Sequence, residues 1–417
     1  MYARSLEPVV RDALRRSPVV LVNGARQVGK STLARALVAE DVISRYVTLD
    51  DLSTLDAALS DPEGFVAAFK TPVVIDEVQL APPLFRAIKA EVDRDRRPGR
   101  FLLTGSADLS VLPSAADALV GRMEVLTLWP LTQGEILGRS EGFIDALFSA
   151  QHDWAVTEGV DRSLLASAIC RGGFPEPVTR ALEDREPWFR SYVDLVVRRD
   201  LSERVDVGGM ASVPRLLALL AARTTTLVSL AEVARSLEMP ASTVRRYVAL
   251  LEAAMLVRTI PAFAGDVARR MVKSPKVALV DTGLAAAITG LDEARLLDDP
   301  TQFGRLAETF VLNEVERQAG WSVTKVRMMH MRTAAGREVD IVLETWDGRI
   351  AGIEVKVGAT VGARDFAGLR SLRESVGERF VQGVVVHSGE RATPFGPDLW
   401  ALPASALWET PPSRVTM

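Results

Sequence analysis

The chain has 417 residues, 48% apolar and 25% charged, which suits two to four folded domains and excludes a disordered polymer. Its net charge of -4 excludes a generally basic nucleic-acid coat, and its one cysteine, Cys170, excludes an intramolecular disulfide or a cysteine-built zinc site; His152, His330 and His387 are scattered, leaving oxygen ligands for any metal. No stretch approaches the length of a membrane span, and Met1–Arg16 mixes charge with Leu and Val unlike a signal peptide, so no membrane partner and a cytoplasmic location are expected.

The first strong signal is Gly24-Ala25-Arg26-Gln27-Val28-Gly29-Lys30-Ser31, a complete GxxxxGK[ST] loop after the apolar run Val19–Val22. Glycines let backbone N–H groups close around phosphates, Lys30 can reach the β- and γ-phosphates, and the Ser31 hydroxyl can ligate Mg²⁺. Thr32 to Val38 read as a helix whose positive N-terminal end faces the anion. A nucleoside triphosphate with Mg²⁺ is therefore the expected ligand.

Val73-Val74-Ile75-Asp76-Glu77 follows as a short strand without alternation, as in a parallel sheet covered on both faces. Asp76 would hold Mg²⁺ through water and Glu77 would polarise the attacking water. In isolation the pair reads equally as a solvated strand end; its place after the phosphate loop favours the chemical reading. Phe101–Thr104 is a third strand ending at Gly105-Ser106, where Thr104 or Ser106 could sense the γ-phosphate or position water, or simply begin a loop. With Arg45–Leu49 and Glu124–Leu128 these runs give the βαβ rhythm of a three-layer parallel sheet over residues 1–132. Pro83–Arg94 carries Leu84, Ile88 and Val92 at helical spacing, and Trp129-Pro130-Leu131 marks a boundary.

Residues 133–225 read as helical, interrupted at Arg171–Pro177, with Tyr192–Arg204 as a solvated helix face of mixed charge. Leu227–Ala234 and Ser242–Leu251, separated by Met239-Pro240, have helix-turn-helix grammar. Ser242 is placed to cap the second helix and set Arg245 and Arg246 near its exposed start, and Leu256–Phe263 would be a wing strand. Such a module over residues 226–290 either packs against protein or contacts nucleic acid. The nearby Arg258, Arg269, Arg270, Lys273 and Lys276, against the single acid Asp266, point to nucleic acid.

Residues 291–417 form another α/β unit, with a helix over Phe303–Gln318 and strands over Val323–Met328, Val339–Leu343, Ile350–Val355 and Val381–His387. Asp340 and the later Glu354-Val355-Lys356 can bind Mg²⁺ and activate water for phosphodiester hydrolysis, or can face solvent. A two-residue Asp347-Gly348 turn would set Asp340 opposite Val355 and away from Glu354. The chemistry requires a one-residue offset, from a three-residue Asp347-Gly348-Arg349 loop or a bulge, which would set Asp340 across from Lys356.

With Gly24–Ser31, Asp76-Glu77-Val78-Gln79, Leu103-Thr104-Gly105-Ser106, Leu119-Val120-Gly121-Arg122 and Leu128-Trp129-Pro130-Leu131, the chain resembles a prokaryotic family of AAA-type ATPases with a C-terminal domain of unknown function, DUF4143. Later markers are Gly172–Glu176, Arg199-Asp200-Leu201, Lys276–Gly283, Gly304–Glu308, Asp340 and Glu354–Lys356. The resemblance implies an ATPase core, a winged helix and a terminal fold like PD-(D/E)xK nucleases. By that analogy Glu308 becomes the helix carboxylate of the nuclease-like site. Arg122 becomes an arginine finger, with a homo-oligomer if it acts in trans. Two classes of function stay open. One is a Mg²⁺-dependent ATPase coupled to binding of nucleic acid, DNA foremost, with or without cleavage. The other is an ATP-switched regulatory or DNA-binding protein whose terminal fold is catalytically idle.

Overall fold

Strands that are apolar on both faces belong in the middle of a covered sheet, and residues 19–23, 73–76 and 101–105 are buried along their whole length. The computed structural model describes residues 2–106, 119–149, 154, 159–198, 207–227, 229–263, 274–333 and 335–412. His152, Arg199, Asp200, Leu201, Asp266, Arg269, Arg270 and Lys273 lie outside them. The chain folds as two compact units, Met1–Trp129 with Glu252–Met255, and Pro130–Leu251 with Leu256–Met417. Among the described residues no helix is long and apolar enough to cross a membrane.

The first unit is built on a five-stranded sheet of β1 (Val19–Asn23), β2 (Arg45–Thr48), β3 (Val73–Asp76), β4 (Phe101–Gly105) and β5 (Met123–Thr127), in the order β2-β3-β4-β1-β5. All neighbours are parallel. The buried strands are the three interior ones, and the partly exposed β2 and β5 are the edges. The register pairs Asn23 with Gly105 and Ile75 with Leu103, so the loops that follow β1, β3 and β4 open at the same edge of the sheet. Helix α1 (Glu7–Arg16) precedes β1, α2 (Lys30–Ala39) follows the glycine loop, and α3 (Leu52–Ser60), α4 (Pro62–Ala67) and α5 (Leu84–Arg94) complete the layers. Leu84, Phe85, Ile88 and Val92 of α5 join Leu21, Ile75 and Leu103 in one core. Each such buried side chain contributes roughly 1.5–3 kcal/mol.

In the second unit, the helices Arg162–Arg171, Leu182–Val196 and Val207–Ala222 occupy the region read as helical. Tyr192–Arg204 is not a wholly solvated face: Tyr192, Val193, Val196 and Val197 are buried, because these apolar residues recur at helical spacing among the charges. Leu230–Ser236 and Ala241–Ala253 are helices, followed by the antiparallel pair β6 (Val257–Ile260) and β7 (Lys276–Leu279), with Leu227 bridging to Lys276. Ser229 caps the first helix through Glu232 N–H. Ser242, expected to cap the second, lies inside it instead. The Pro240 carbonyl accepts from Thr243 and Val244 N–H and starts that helix two residues earlier.

The terminal sheet has the order β12-β13-β11-β10-β9-β8, with β8 Val326–Arg332, β9 Glu338–Thr345, β10 Ile350–Lys356, β11 Phe380–His387, β12 Thr393–Pro394 and β13 Leu399–Pro403. An antiparallel meander, β8-β9-β10, is followed by the helix Ala367–Val376 and by β11 parallel to β10. The long helix Pro300–Ala319 and the helix Ala367–Val376 both pack on β10.

A buried polar node follows Pro130. Arg317 of the long helix donates to Leu131 O at 2.6 Å, Val280 O at 3.2 Å and Asp281 at 3.3 Å, and Glu314 accepts from Gln133 N–H at 3.0 Å. Glu141 accepts from Thr132 Oγ1 at 2.6 Å and from Gly134 N–H at 3.1 Å. Burial, followed by the charge of Glu314, pushes the Glu141 carboxyl from 4.5 up to about 9. Such a group favours the native state while protonated: its contribution is whole below the ordinary pKa and is lost as pH climbs through the raised one. Thermal stability should therefore fall between about pH 5 and pH 9, and Glu141→Gln should flatten that slope. Melting curves across this range check it; a variant slope equal to the parent's would relieve Glu141 of the role.

Candidate functional site

Residues Gly24 to Gly29 form the turn between β1 and α2. Gln27 and Gly29 take left-handed backbones, with φ of 62° and 100°. Alternating hand of this kind curls a loop so that its amides form an anion cradle. Gly24 admits no side chain, since a Cβ there would lie 2.3 Å from Leu128 O. Arg26 is half-buried, Ala25 and Val28 are buried, and Thr32 is exposed in the first turn of α2. Lys30 opens α2, is buried, and donates from Nζ to Gly24 O at 3.0 Å and Ala25 O at 2.9 Å.

Asp76 gathers hydroxyls from three elements. Ser31 of α2 donates to its Oδ1 at 3.0 Å, Thr104 of β4 donates to the same oxygen, and Tyr46 of β2 donates to Oδ2 at 2.5 Å. Burial, then the bond to Asp76, pushes the Tyr46 hydroxyl up to about 12, so it stays a donor at any physiological pH. Glu77 follows in a left-handed backbone, φ 59°, a conformation that costs about 1–3 kcal/mol and persists only where its surroundings hold it. Its N–H donates to Thr104 Oγ1 at 3.1 Å. Its carboxylate accepts from Gln79 Nε2 and, at 3.4 Å, from Ser106 Oγ, while Gln79 also donates to Ser106 Oγ at 3.1 Å. Lys30, Ser31, Asp76, Glu77, Thr104 and Ser106 thus meet at one edge of the sheet.

Arg122 does not join them. It precedes β5, its carbonyl accepts from Val19 N–H at the start of β1, and the glycine loop lies at the far end of that strand, about 16 Å on at strand rise. Its guanidinium pairs with Asp93 at 2.6 Å and donates to Val120 O at 3.1 Å. A role at its own glycine loop is excluded by that distance.

The terminal domain brings Glu308, Asp340, Glu354 and Lys356 into one neighbourhood and adds a fifth residue. The β9-β10 pairing runs from Glu344↔Ile350 to Ile341↔Ile353 around the loop Trp346-Asp347-Gly348. A one-residue offset is present, but in the opposite sense to the expected one: continuing the register sets Asp340 across from Glu354, not Lys356. The cause is Gly348, whose φ of 86° closes a three-residue loop one position earlier than Asp347-Gly348-Arg349. In addition, β9 bulges where its pairing with β8 skips from Met329↔Val342 to Met331↔Val339. Asp340 accepts from Val355 N–H at 3.0 Å and from Lys276 Nζ at 3.4 Å. Lys276 donates to Glu308 at 2.6 Å, and Lys356 to Glu354 at 2.8 Å. Burial, then the charge of Asp340, raises both Glu308 and Glu354 to about 8. Among the described residues, no group of three or more acidic, histidine or cysteine side chains converges to hold a metal ion.

The basic run is less open than its sequence suggests. Lys276 is buried, and Arg258 pairs with Glu316 at 2.7 Å, whereas Arg245 and Arg246 are exposed. Four residues of these sites were missed from sequence. Tyr46 and Gln79 had a signal, as polar groups beside the apolar strand and the Asp76-Glu77 pair. Lys276 had one as the sole charge leading a buried strand. Arg4 had none: it donates from Nη1 to Val28 O and from Nη2 to Trp129 O, both at 2.7 Å, clipping the glycine loop to the end of the first unit.

A parallel sheet with a GxxxxGK[ST] loop on an interior strand and an acidic strand end two positions away defines a P-loop nucleoside triphosphatase. An AAA domain family matches residues 16–137, the DUF4143 family residues 303–407, and a further domain of unknown function, DUF8612, residues 162–295. Uncharacterized proteins of Mycobacterium tuberculosis and Mycobacterium bovis are each 31% identical over 404 residues, covering 96% of this chain and 83% of theirs. The chain belongs to this family of AAA-type P-loop ATPases with a C-terminal DUF4143 domain. Among solved structures, the Walker-type ATPase of Pyrococcus abyssi is 15% identical, covers 69% of this chain and 96% of its own, and has a TM-score of 0.39. DnaA of Aquifex aeolicus bound to AMPPCP is 16% identical, covers 58% and 86%, and has a TM-score of 0.29.

Arg4→Ala removes the donor to two carbonyls and should weaken binding of a fluorescent ATP analogue about tenfold, near 1.4 kcal/mol. An unchanged Kd would make the clip irrelevant to the loop.

Proposed function

We propose that the protein hydrolyses ATP with Mg²⁺ at the site around Gly24–Ser31. The observation that carries this reading is the convergence of Ser31 and Thr104 on one oxygen of Asp76 beside the cradle of loop amides. The donor set of hydroxyls and one carboxylate suits Mg²⁺, which keeps waters and takes phosphate oxygens, so a three-acid cage is not needed. Ser31 and Asp76 would hold the ion, which would neutralise charge on the β- and γ-phosphates. Lys30 would exchange its two carbonyl acceptors for phosphate oxygens. Glu77 would take a proton from the attacking water, with Gln79 and Ser106 setting the direction of its carboxylate, and Thr104 would hold Asp76 and the Glu77 backbone in register. Arg122 can complete this chemistry only in a second copy, which makes a homo-oligomer part of that proposal.

Residues 133–225 we read as a helical linker, 226–290 as a winged helix and 291–417 as a nuclease-like fold. Supporting the winged helix are the two helices in series Leu230–Ser236 and Ala241–Ala253, the Leu227 bridge and the β6-β7 pair; supporting the nuclease-like fold are the meander, the crossover helix and the grouping of Asp340, Glu354, Lys356 and Glu308. Nucleic acid, DNA foremost, would be met by phosphate contacts from Arg245 and Arg246. The idle-fold alternative has one observation in its favour, the Lys276 ammonium lodged among the acids of the terminal site.

Lys30→Ala should abolish ATP binding, and Glu77→Gln should keep binding while losing turnover, both read by equilibrium titration and phosphate release. Parental turnover in Glu77→Gln would remove the water-activating role. If Arg122 works in trans, activity per chain rises with concentration and Arg122→Ala lowers it by roughly 10³–10⁵. Concentration-independent activity that survives the substitution would dismiss it. DNA binding should weaken steeply with salt and with the Arg245→Ala/Arg246→Ala double change, and indifference to both would leave the module a packing element. A plasmid-nicking assay with Mg²⁺ or Mn²⁺, with and without ATP, separates an active terminal fold from an idle one.

A further inference from the structure

The terminal cluster contains a cation of its own. Lys276 Nζ lies 2.6 Å from Glu308 Oε1 and 3.4 Å from Asp340 Oδ1, and the residue is only 5% exposed. The other oxygen of Asp340 accepts from Val355 N–H, and Glu354 Oε1 accepts from Lys356, while Glu354 Oε2 is buried with no hydrogen-bond partner. Burial, the largest influence, lowers the lysine's proton affinity, but Glu308 and Asp340 together outweigh it and hold the ammonium charged.

The position of that ammonium is set by framework. Lys276 heads β7, which pairs with β6 on one side; Leu227 bridges to Lys276 itself, and Thr225 N–H donates to Val277 O at 2.8 Å. Three carboxylates stand against two ammonium groups, leaving one negative charge when all are ionised. A divalent ion added to that set would overshoot neutrality and compete with the lysine for the same oxygens. With the three acids ionised and Lys276 absent, two charges would be uncompensated, the amount one divalent ion cancels. Burying a charge costs several kcal/mol unless it is paired, so an unpaired lysine would not persist here, and neither would three unpaired acids.

We propose that Lys276 is the resident cation of the DUF4143 site: its ammonium takes the place between Glu308 and Asp340 that a divalent ion would fill, and the wild-type site therefore excludes Mg²⁺ and Mn²⁺. The arrangement is independent of the ATPase reading, because it uses none of the residues of the glycine loop.

The test is a Mn²⁺ titration of the full chain without nucleotide, following free Mn²⁺ by electron paramagnetic resonance. The wild type should show no Mn²⁺ binding that Asp340→Asn removes. Lys276→Met, which keeps length without charge, should gain one site at least about tenfold tighter than any in the parent, and Asp340→Asn in that background should abolish it. Lys276→Arg should stay metal-free. Mn²⁺ should raise the melting temperature of Lys276→Met and leave that of the wild type unchanged. Should Lys276→Met fail to fold, Lys276→Gln carries the same comparison. Wild-type Mn²⁺ binding lost in Asp340→Asn would overturn the proposal, as would a folded, uncharged variant that binds no more Mn²⁺ than the parent.

Discussion

The carboxylate of Asp76 is the constraint on which the nucleotide site depends. A buried carboxylate needs donors, and here they arrive from α2, β2 and β4 as the hydroxyls of Ser31, Tyr46 and Thr104. Satisfying one side chain thereby locks the start of the helix after the glycine loop, an edge strand and an interior strand to a common point. Sheet order makes this possible: β4 lies between β1 and β3, so Thr104 stands between the loop and the acid. The same hydroxyl accepts from Glu77 N–H, which helps hold the left-handed turn that aims the neighbouring carboxylate.

In the second unit the long helix Pro300–Ala319 plays the comparable part. Glu308, partway along it, belongs to the terminal charge cluster, while Asn313, Glu314, Arg317 and Gln318 further along satisfy backbone groups of Leu279, Gln133, Leu131, Val280, Phe143 and Leu407. Loops that would otherwise bury unpaired carbonyls and amides are thereby fastened to one rigid element. The cluster of Lys276, Glu308 and Asp340 inherits its geometry from that fastening and from the β6-β7 pairing.

How much of this was legible in the sequence follows from how local each determinant is. The glycine loop, Asp76-Glu77 and the interior strands were readable because their chemistry lies within a few consecutive residues, and because a strand covered on both faces must be apolar throughout. Lys276 was not: its partners lie 32 and 64 residues downstream, and a lysine in a basic run reads as surface charge until its neighbours in space are known. Arg258 misled for the same reason, its charge being answered by Glu316. The hairpin register was missed by the placement of one glycine, and the Ser242 cap by Pro240, whose carbonyl takes the first helical hydrogen bonds instead.

In the proposed ATP site the hydroxyl node around Asp76 is the Mg²⁺ end and the glycine loop with Lys30 is the phosphate end. A crystal structure of the full chain with Mg²⁺ and a non-hydrolysable ATP analogue tests it most directly. Lys30 Nζ should have moved from Gly24 O and Ala25 O onto phosphate oxygens, and Ser31 Oγ should have turned from Asp76 onto the ion. A nucleotide bound away from Gly24–Ser31, or one seated there with the Ser31–Asp76 bond intact and no ion beside it, would contradict it.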